Sequence, residues 1–395
     1  MFKCQPGYTL RKIKGTCYLL PYGQQIADQK KGLILNDTSA FLWNALQHTE
    51  GADPQQLVEM LARTYQPDET YFPELLTDVT DFLTQFTSMG IITESLHPLS
   101  SQPTAFMVIA GICIKLYGSP ELISDCFKPF YTEFPDNNAT VSDDDTTQEI
   151  ELVTTPPPAR CYGQVLLKNS EMTIFENSDR YVVLFPQMQN IYEAHMRKDG
   201  SYVRIYCHPA ATELNVENLF HAIRLFFLFI AQKNGLFAIH SASVLYQGKA
   251  WLFSGHSGMG KSTHTALWHE LFHTPYINGD LNLLGLRDNR IIVYGIPWCG
   301  TSEIFTVEEY ELGGIVLLGR DPQTDHLEEL APSEKILRVM QRMISPAWKE
   351  RQLSENLFFA EEIADHVPVL HFLCTKNPSA AHTMKHAIDQ LEETL

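Results

Sequence analysis

The residues of this chain with the clearest capacity for chemistry lie between Gly255 and Thr263. The run Gly255-His256-Ser257-Gly258-Met259-Gly260-Lys261-Ser262 satisfies G-x-x-x-x-G-K-[ST] at every fixed position. Glycines in this pattern let successive backbone N–H groups turn toward one point, where a phosphate can collect them. The stretch Gly-Lys-Ala-Trp-Leu-Phe-Ser at 248–254 reads as a strand before the loop, and residues from Ser262 to Phe272 read as a helix after it. The positive end of that helix then faces the same point. In this arrangement Gly255, Ser257, Gly258, Met259, Gly260 and Thr263 wrap the phosphates, Lys261 reaches the outer ones, and the Ser262 hydroxyl ligates magnesium. ATP with Mg2+ is the ligand pair this implies.

A metal site of this kind needs an acid. Asp280 ends Pro-Tyr-Ile-Asn-Gly-Asp, an apolar stretch after the loop, and could hold magnesium directly or through water. The same Asn278-Gly279-Asp280 is equally a strong β-turn signal. His240, in Phe-Ala-Ile-His-Ser-Ala-Ser, lies one hairpin upstream of the loop; it reads either as a satisfied core histidine or as a catalytic one. Arg320 ends the apolar Gly-Ile-Val-Leu-Leu-Gly-Arg and is left outside the site, because a surface position suits it as well.

The elements that must position these residues fall into several blocks. Tyr8 to Tyr22 reads as two strands around Lys14-Gly15, and Gly32 to Leu35 as a third. Asp37 or Thr38 then caps a helix with Phe41, Leu42, Ala45 and Leu46 on one face. A second helix follows Asp53-Pro54, and a third runs from about Phe72 to Met89 with Gly90 as its cap. Residues 1–95 therefore form one domain, and the Ser- and Pro-containing segment 96–104 a linker. Residues 105–235 are β-rich: Ala105 to Leu116 reads as one strand, with further runs at Tyr162–Leu167, Arg180–Phe185 and Tyr202–Tyr206, then a buried helix from Asn215 to Asn234. Asp136 to Pro158 reads as an exposed acidic loop. Residues 236–395 carry the phosphate loop.

The chain has 395 residues and a net charge of −18, which argues against broad nucleic-acid or anionic-membrane binding. Any anionic ligand must be held locally. Eight cysteines show no CxxC pair and no zinc-ligand spacing. The start lacks the features of a secretory signal, and no stretch offers the roughly 18 consecutive apolar residues of a membrane span. A cytoplasmic protein with neither nucleic-acid nor membrane partners is expected.

Two family resemblances sharpen this. The strands, three helices and closing strand of Tyr8 to Glu94, with Leu35-Asn36-Asp37-Thr38 ahead of a helix that includes Trp43, resemble the D protein of pyrroloquinoline quinone biosynthesis. That resemblance implies a winged-helix-like α+β fold and recognition of the leader of a ribosomally made peptide. Ile239-His240, Gly248, Ser254 to Ser262 and Asn278-Gly279-Asp280 look like the HPr kinase/phosphorylase family, whose P-loop architecture is shared with ATP-dependent phosphoenolpyruvate carboxykinase. This second resemblance implies an α/β fold with a mixed, mostly antiparallel sheet, transfer of a γ-phosphoryl group to a serine hydroxyl, and a place for His240 at the family's histidine position. It also makes a homo-oligomer compatible with the chain.

The departures are specific. The family has two consecutive aspartates where this chain has Gly279-Asp280, so Asp280 must serve both metal and hydroxyl, or His240 must act as base. His256 and Thr263 replace the family's usual Asp and Glu. Gly295 to Ser302 is unlike the HPr-recognition region, so HPr itself is not the expected acceptor. The expected function is phosphorylation of a peptide, or of a small hydroxyl substrate, recruited by the N-terminal domain. The alternative is a nucleotide-responsive peptide-binding protein without turnover.

Overall fold

The computed structural model describes residues 2–49, 51–66, 72–94, 96, 98–100, 102–133, 146–157, 162–177, 180–256 and 258–393. Part of the anticipated acidic loop (136–145 and 158) and Ser257 lie outside the described residues, and Thr147–Val153 of that stretch is a largely buried strand, not a loop. The chain divides into two compact units. One comprises Met1–Leu99, Thr155–Gln164 and Phe175–Ser178; the other comprises Ser100–Thr154, Val165–Ile174 and Asp179–Leu395.

The first unit is α+β. Its elements are β1 (Phe2–Cys4), β2 (Tyr8–Ile13), β3 (Thr16–Pro21), α1 (Gln24–Ala27), β4 (Leu33–Leu35), α2 (Asp37–Gln47), α3 (Pro54–Tyr65), α4 (Phe72–Ser88) and β5 (Ile92–Glu94). Strands β2, β3 and β4 form one antiparallel sheet, and β1 pairs with β5. Lys14 (φ 48°) and Gly15 (φ 90°) make the tight β2–β3 turn in the left-handed region that such hairpins need. Asn36, and not Asp37 or Thr38, caps α2. Its backbone is extended and its Oδ1 accepts from the Ser39 N–H at 2.7 Å, so the helix begins one residue earlier than the apolar period suggests. Asp53 and Gln56 close a reciprocal capping box on α3. The helices bury Leu42, Trp43, Leu57, Leu61, Val79 and Phe82 in one core with Leu19 of β3.

The second unit begins with β6 (Ala105–Ile109), β7 (Ile112–Tyr117), β8 (Thr147–Val153), β9 (Gln164–Lys168), β10 (Thr173–Glu176), β11 (Arg180–Leu184), β12 (Ile191–Arg197), β13 (Tyr202–Cys207) and α5 (Glu213–Lys233). The single strand expected over Ala105 to Leu116 is a hairpin. Ala110 (φ 52°) and Gly111 (φ 78°) turn the chain between β6 and β7, a reversal that an unbroken apolar run hides. These strands form one mixed sheet in the order β6-β7-β8-β13-β12-β11-β10-β9, parallel at β7–β8 and β8–β13.

The chain continues with β14 (Leu236–Tyr246), β15 (Lys249–Ser254), α6 (Lys261–Phe272), β16 (Tyr276–Asn278), β17 (Leu281–Arg287), β18 (Arg290–Tyr294), β19 (Tyr310–Arg320), β20 (His326–Glu328), α7 (Pro332–Met340), α8 (Glu350–His366), β21 (Val369–Cys374) and α9 (Pro378–Glu392). The second sheet has the order β15-β14-β17-β18-β19-β21-β20, and a further β15–β19 pairing closes part of it on itself. Within it β15, β19 and β21 run parallel and adjacent, so their carboxyl ends share one edge.

Helix α5 is long and apolar enough to cross a membrane, although its charged residues interrupt any continuous apolar run. Here Leu219, Ile223, Phe226 and Phe227 lie in a core cluster that also holds Ile150 and Val203 of the first sheet and Ala238 and Leu283 of the second. Residues 105–235 and the strands after them thus share one core. Helices α6 and α9 cover Trp251, Phe253 and Phe372, while α7 and α8 cover Ile239, Leu252 and Val293.

Candidate functional site

Strand β15 is buried from Ala250 to Ser254 and delivers the chain to Gly255 at the carboxyl edge. A Cβ on Gly255 would stand 3.1 Å from Met259 Cβ and 3.2 Å from the Leu318 carbonyl oxygen, so the loop root is pressed against β19. The loop turns through a bond from Met259 N to the His256 oxygen, 3.1 Å, and through left-handed Gly258 (φ 77°) and Gly260 (φ 97°). A Cβ at either of these glycines would meet nothing within 4 Å; their backbone conformation, not crowding, is what calls for glycine. Gly260 begins α6 with no side-chain cap, which leaves the N–H groups of the first turn to an external acceptor. Lys261 is buried and its Nζ donates to the Gly255 oxygen at 3.2 Å, while Ser262 and Thr263 are exposed on the same turn.

Asp280 follows β16. Its N–H and that of Leu281 both donate to Asn278 Oδ1 at 3.0 Å, and the Asn278 amide in turn donates to the oxygens of Ile296 and Trp298. The two readings of Asn278-Gly279-Asp280 therefore describe one object, because the side-chain-closed turn is what presents the carboxylate. It presents it to His240: Nδ1 and Asp280 Oδ1 are 3.3 Å apart, each side chain about one-third exposed, at 33% and 34%. His240 is held by its N–H to the Arg342 oxygen (2.9 Å) and by its own carbonyl, which accepts from Ser254 Oγ (2.7 Å). Strand β14 thus joins the pair to the end of β15.

Gly279 has no room for a second acid. A Cβ there would fall 1.9 Å from Ser302 Oγ, a hydroxyl fixed by its bond to the Cys299 oxygen at 2.6 Å.

Three arginines gather at this site. Arg320 Nη2 donates to the Gly258 oxygen at 2.9 Å, which ties to this glycine-rich loop a residue that its sequence position left outside the site. Arg342 Nη1 donates to His256 Nδ1 at 2.9 Å, and its buried Nε has no hydrogen-bond partner among the described residues. Arg224 of α5 feels the charge of Asp280. Neither Arg342 nor Arg224 sits in a local motif; only packing of distant segments brings them here.

Burial lowers the proton affinity of His240, and Lys261 and Arg342 push the same way against the favourable pull of Asp280, so the imidazole titrates below its ordinary range. Lys261 is lowered first by burial and then by Arg342, with Asp280 opposing. The result is a local excess of positive charge in an acidic chain, suited to a polyanion.

Among the described residues no three His, Cys, Asp or Glu side chains gather into a protein-only metal cage. The exposed Ser262 hydroxyl and the part-exposed Asp280 carboxylate are hard oxygen donors, the set magnesium takes when phosphates and water complete its shell, so these residues fit that ion. The structure brings His240 and Asp280 together and makes Lys261 part of their electrostatic surroundings; Gly255, Gly258, Met259, Gly260, Ser262 and Thr263 form the adjoining loop and first helical turn.

In the first unit, β4 is an edge strand whose Ile34 is 71% exposed, and Ile13 and Tyr22 are exposed nearby in sequence.

No curated protein matches the chain. Among solved structures it is similar to the Hpr(Ser) kinase/phosphatase from Coxiella burnetii, at 12% identity over 40% of this chain and 95% of that one, with a TM-score of 0.24. Residues 26–92 match the family model of Coenzyme PQQ synthesis protein D (PqqD), so the first unit carries a PqqD-like domain.

Proposed function

We propose that this chain is an ATP-dependent phosphotransferase that moves the γ-phosphoryl group to a hydroxyl, a serine of a peptide, with the PqqD-like domain recruiting that peptide. The observation that carries the reading is the His240–Asp280 pair, 3.3 Å apart and tied through β14 to the strand that ends in the phosphate loop. With Nδ1 turned to the carboxylate, Nε2 of His240 is the atom left to take the acceptor's proton as its oxygen bonds to phosphorus. ADP leaves with the electron pair of the broken P–O bond. Lys261 and the loop N–H groups meet the charge on the transferred group, which is most of what such a reaction asks of a protein. Magnesium, held by Ser262 and Asp280, would neutralise phosphate charge.

The edge strand β4 with exposed Ile34 supports peptide capture by strand addition. The seven described cysteines form no disulfides, which supports action in the cytoplasm. Transfer of label from γ-labelled ATP to a peptide hydroxyl, lost in Asp280→Ala, is the test; ATP binding without transfer to any peptide or small hydroxyl compound would overturn the kinase reading. A second reading, a nucleotide-responsive peptide binder without turnover, draws support from Ser302 filling the place of a second carboxylate at Gly279.

A further inference from the structure

A cavity of about 290 Å³ opens at the carboxyl ends of β19 and β21, and Met259, Gly260 and Thr263 of the phosphate loop form one of its walls. We propose that this cavity takes the nucleoside end of the bound nucleotide, with His264 as a residue that reads it; the proposal rests on the phosphate-loop reading above.

Position comes first. In α/β sheets, ligands lie in the crevice beyond the carboxyl ends of parallel strands. Here β15 supplies the phosphate loop, and its parallel neighbours β19 and β21 end at Arg320 and Cys374, which line the cavity. A nucleotide with its phosphates on the loop has its other end next to this space.

The chemistry of the walls fits a flat heteroaromatic group. Leu267 and Leu318 supply apolar surface, and Arg320 and Lys376 supply cationic groups. A guanidinium can stack on a base as well as meet phosphate. Arg320 also donates to Gly258, so one side chain links the cavity to the loop.

His264 is the independent observation. It lines the cavity, is 3% exposed, and its Nε2 has no hydrogen-bond partner among the described residues. Phe253 and Phe372 hold its ring, at centroid distances of 4.8 and 5.7 Å. Burial keeps the imidazole neutral, with its pKa brought down to about 4. A neutral ring has one donor and one acceptor nitrogen. An unmet buried polar atom is costly, and a hydrogen bond from a base or ribose would offset that cost.

Calorimetric titration of the full-length protein with MgATP, adenosine and tripolyphosphate tests this. Wild type should bind tripolyphosphate and adenosine separately. Leu267→Trp, which fills the cavity, should weaken ATP about tenfold or more and leave tripolyphosphate unchanged. His264→Phe keeps an aromatic ring between Phe253 and Phe372; it should weaken ATP by a similar factor without lowering Tm, because a group that met only the fold would not behave so. Lys261→Ala should give the inverse pattern, losing tripolyphosphate and keeping adenosine. ATP affinities within twofold of wild type in both cavity variants, with tripolyphosphate binding intact, would overturn the nucleoside site and leave the phosphate loop standing. No tripolyphosphate binding to wild type would instead remove the phosphate-loop reading itself.

Discussion

His240 and Asp280 supply the residue-scale prediction about pH. Because burial and two nearby cations hold His240 below the ordinary imidazole value of 6.5, its basic form is available at neutral pH and is lost only below that value. The single-turnover transfer rate should therefore rise with pH through a pKa below 6.5 and reach a plateau by neutrality. His240→Asn should drop the plateau by ~10²–10⁴-fold and abolish that acid limb, with ATP affinity kept; an unchanged limb would assign the base elsewhere. At position 279 the steric test is direct. Gly279→Ala should lower stability and activity together, and adding Ser302→Gly should restore much of both, since the 1.9 Å clash is with the Ser302 hydroxyl. The strand, loop and helix around Gly255 were legible from sequence because the loop's parts lie within nine consecutive positions. Arg224 and Arg342 were not, since nothing in a linear pattern says that a helix before the loop and a turn after α7 come to Asp280 and His240 respectively.

At the scale of elements, the strand–loop–helix around Lys261 and the helices of the first unit followed from local rules: periodicity, a proline at the first helical position, a glycine in the left-handed region past a helix end; the cap of α2 did not, since Asn36 lies outside the apolar period. Strands β8 and β12 escaped that reading. They carry buried charged and polar residues, Glu151 bonded to Arg204 and Glu193 bonded to His195, which break the alternation that marks a half-buried strand. The turn at Asn278 also acts at this scale, because one side chain accepts two backbone N–H groups and donates to a third strand's exit. Asn278→Ala leaves those groups unmet and should cost ~1–3 kcal/mol in denaturant unfolding. It should also lower transfer activity more than ATP affinity; a loss confined to stability would make the turn a scaffold alone.

For the whole molecule, the proposed division of labour between units predicts how substrates behave. A peptide that carries its recognition segment should show a KM ~10²-fold or more below that of the same acceptor serine without it, with little change in kcat, because capture by the first unit raises local concentration and adds nothing to chemistry. Equal KM values would separate the PqqD-like domain from substrate choice. The core of the second unit has a consequence for how the protein is made. Helix α5 leaves the ribosome before β14 and β17, which supply Ala238 and Leu283 to its core, so for part of synthesis an apolar helix long enough to span a bilayer lacks that part of its cover. A nascent chain arrested once residue 233 has cleared the ribosomal exit should bind chaperones or sediment, whereas one arrested once β17 has cleared it should not.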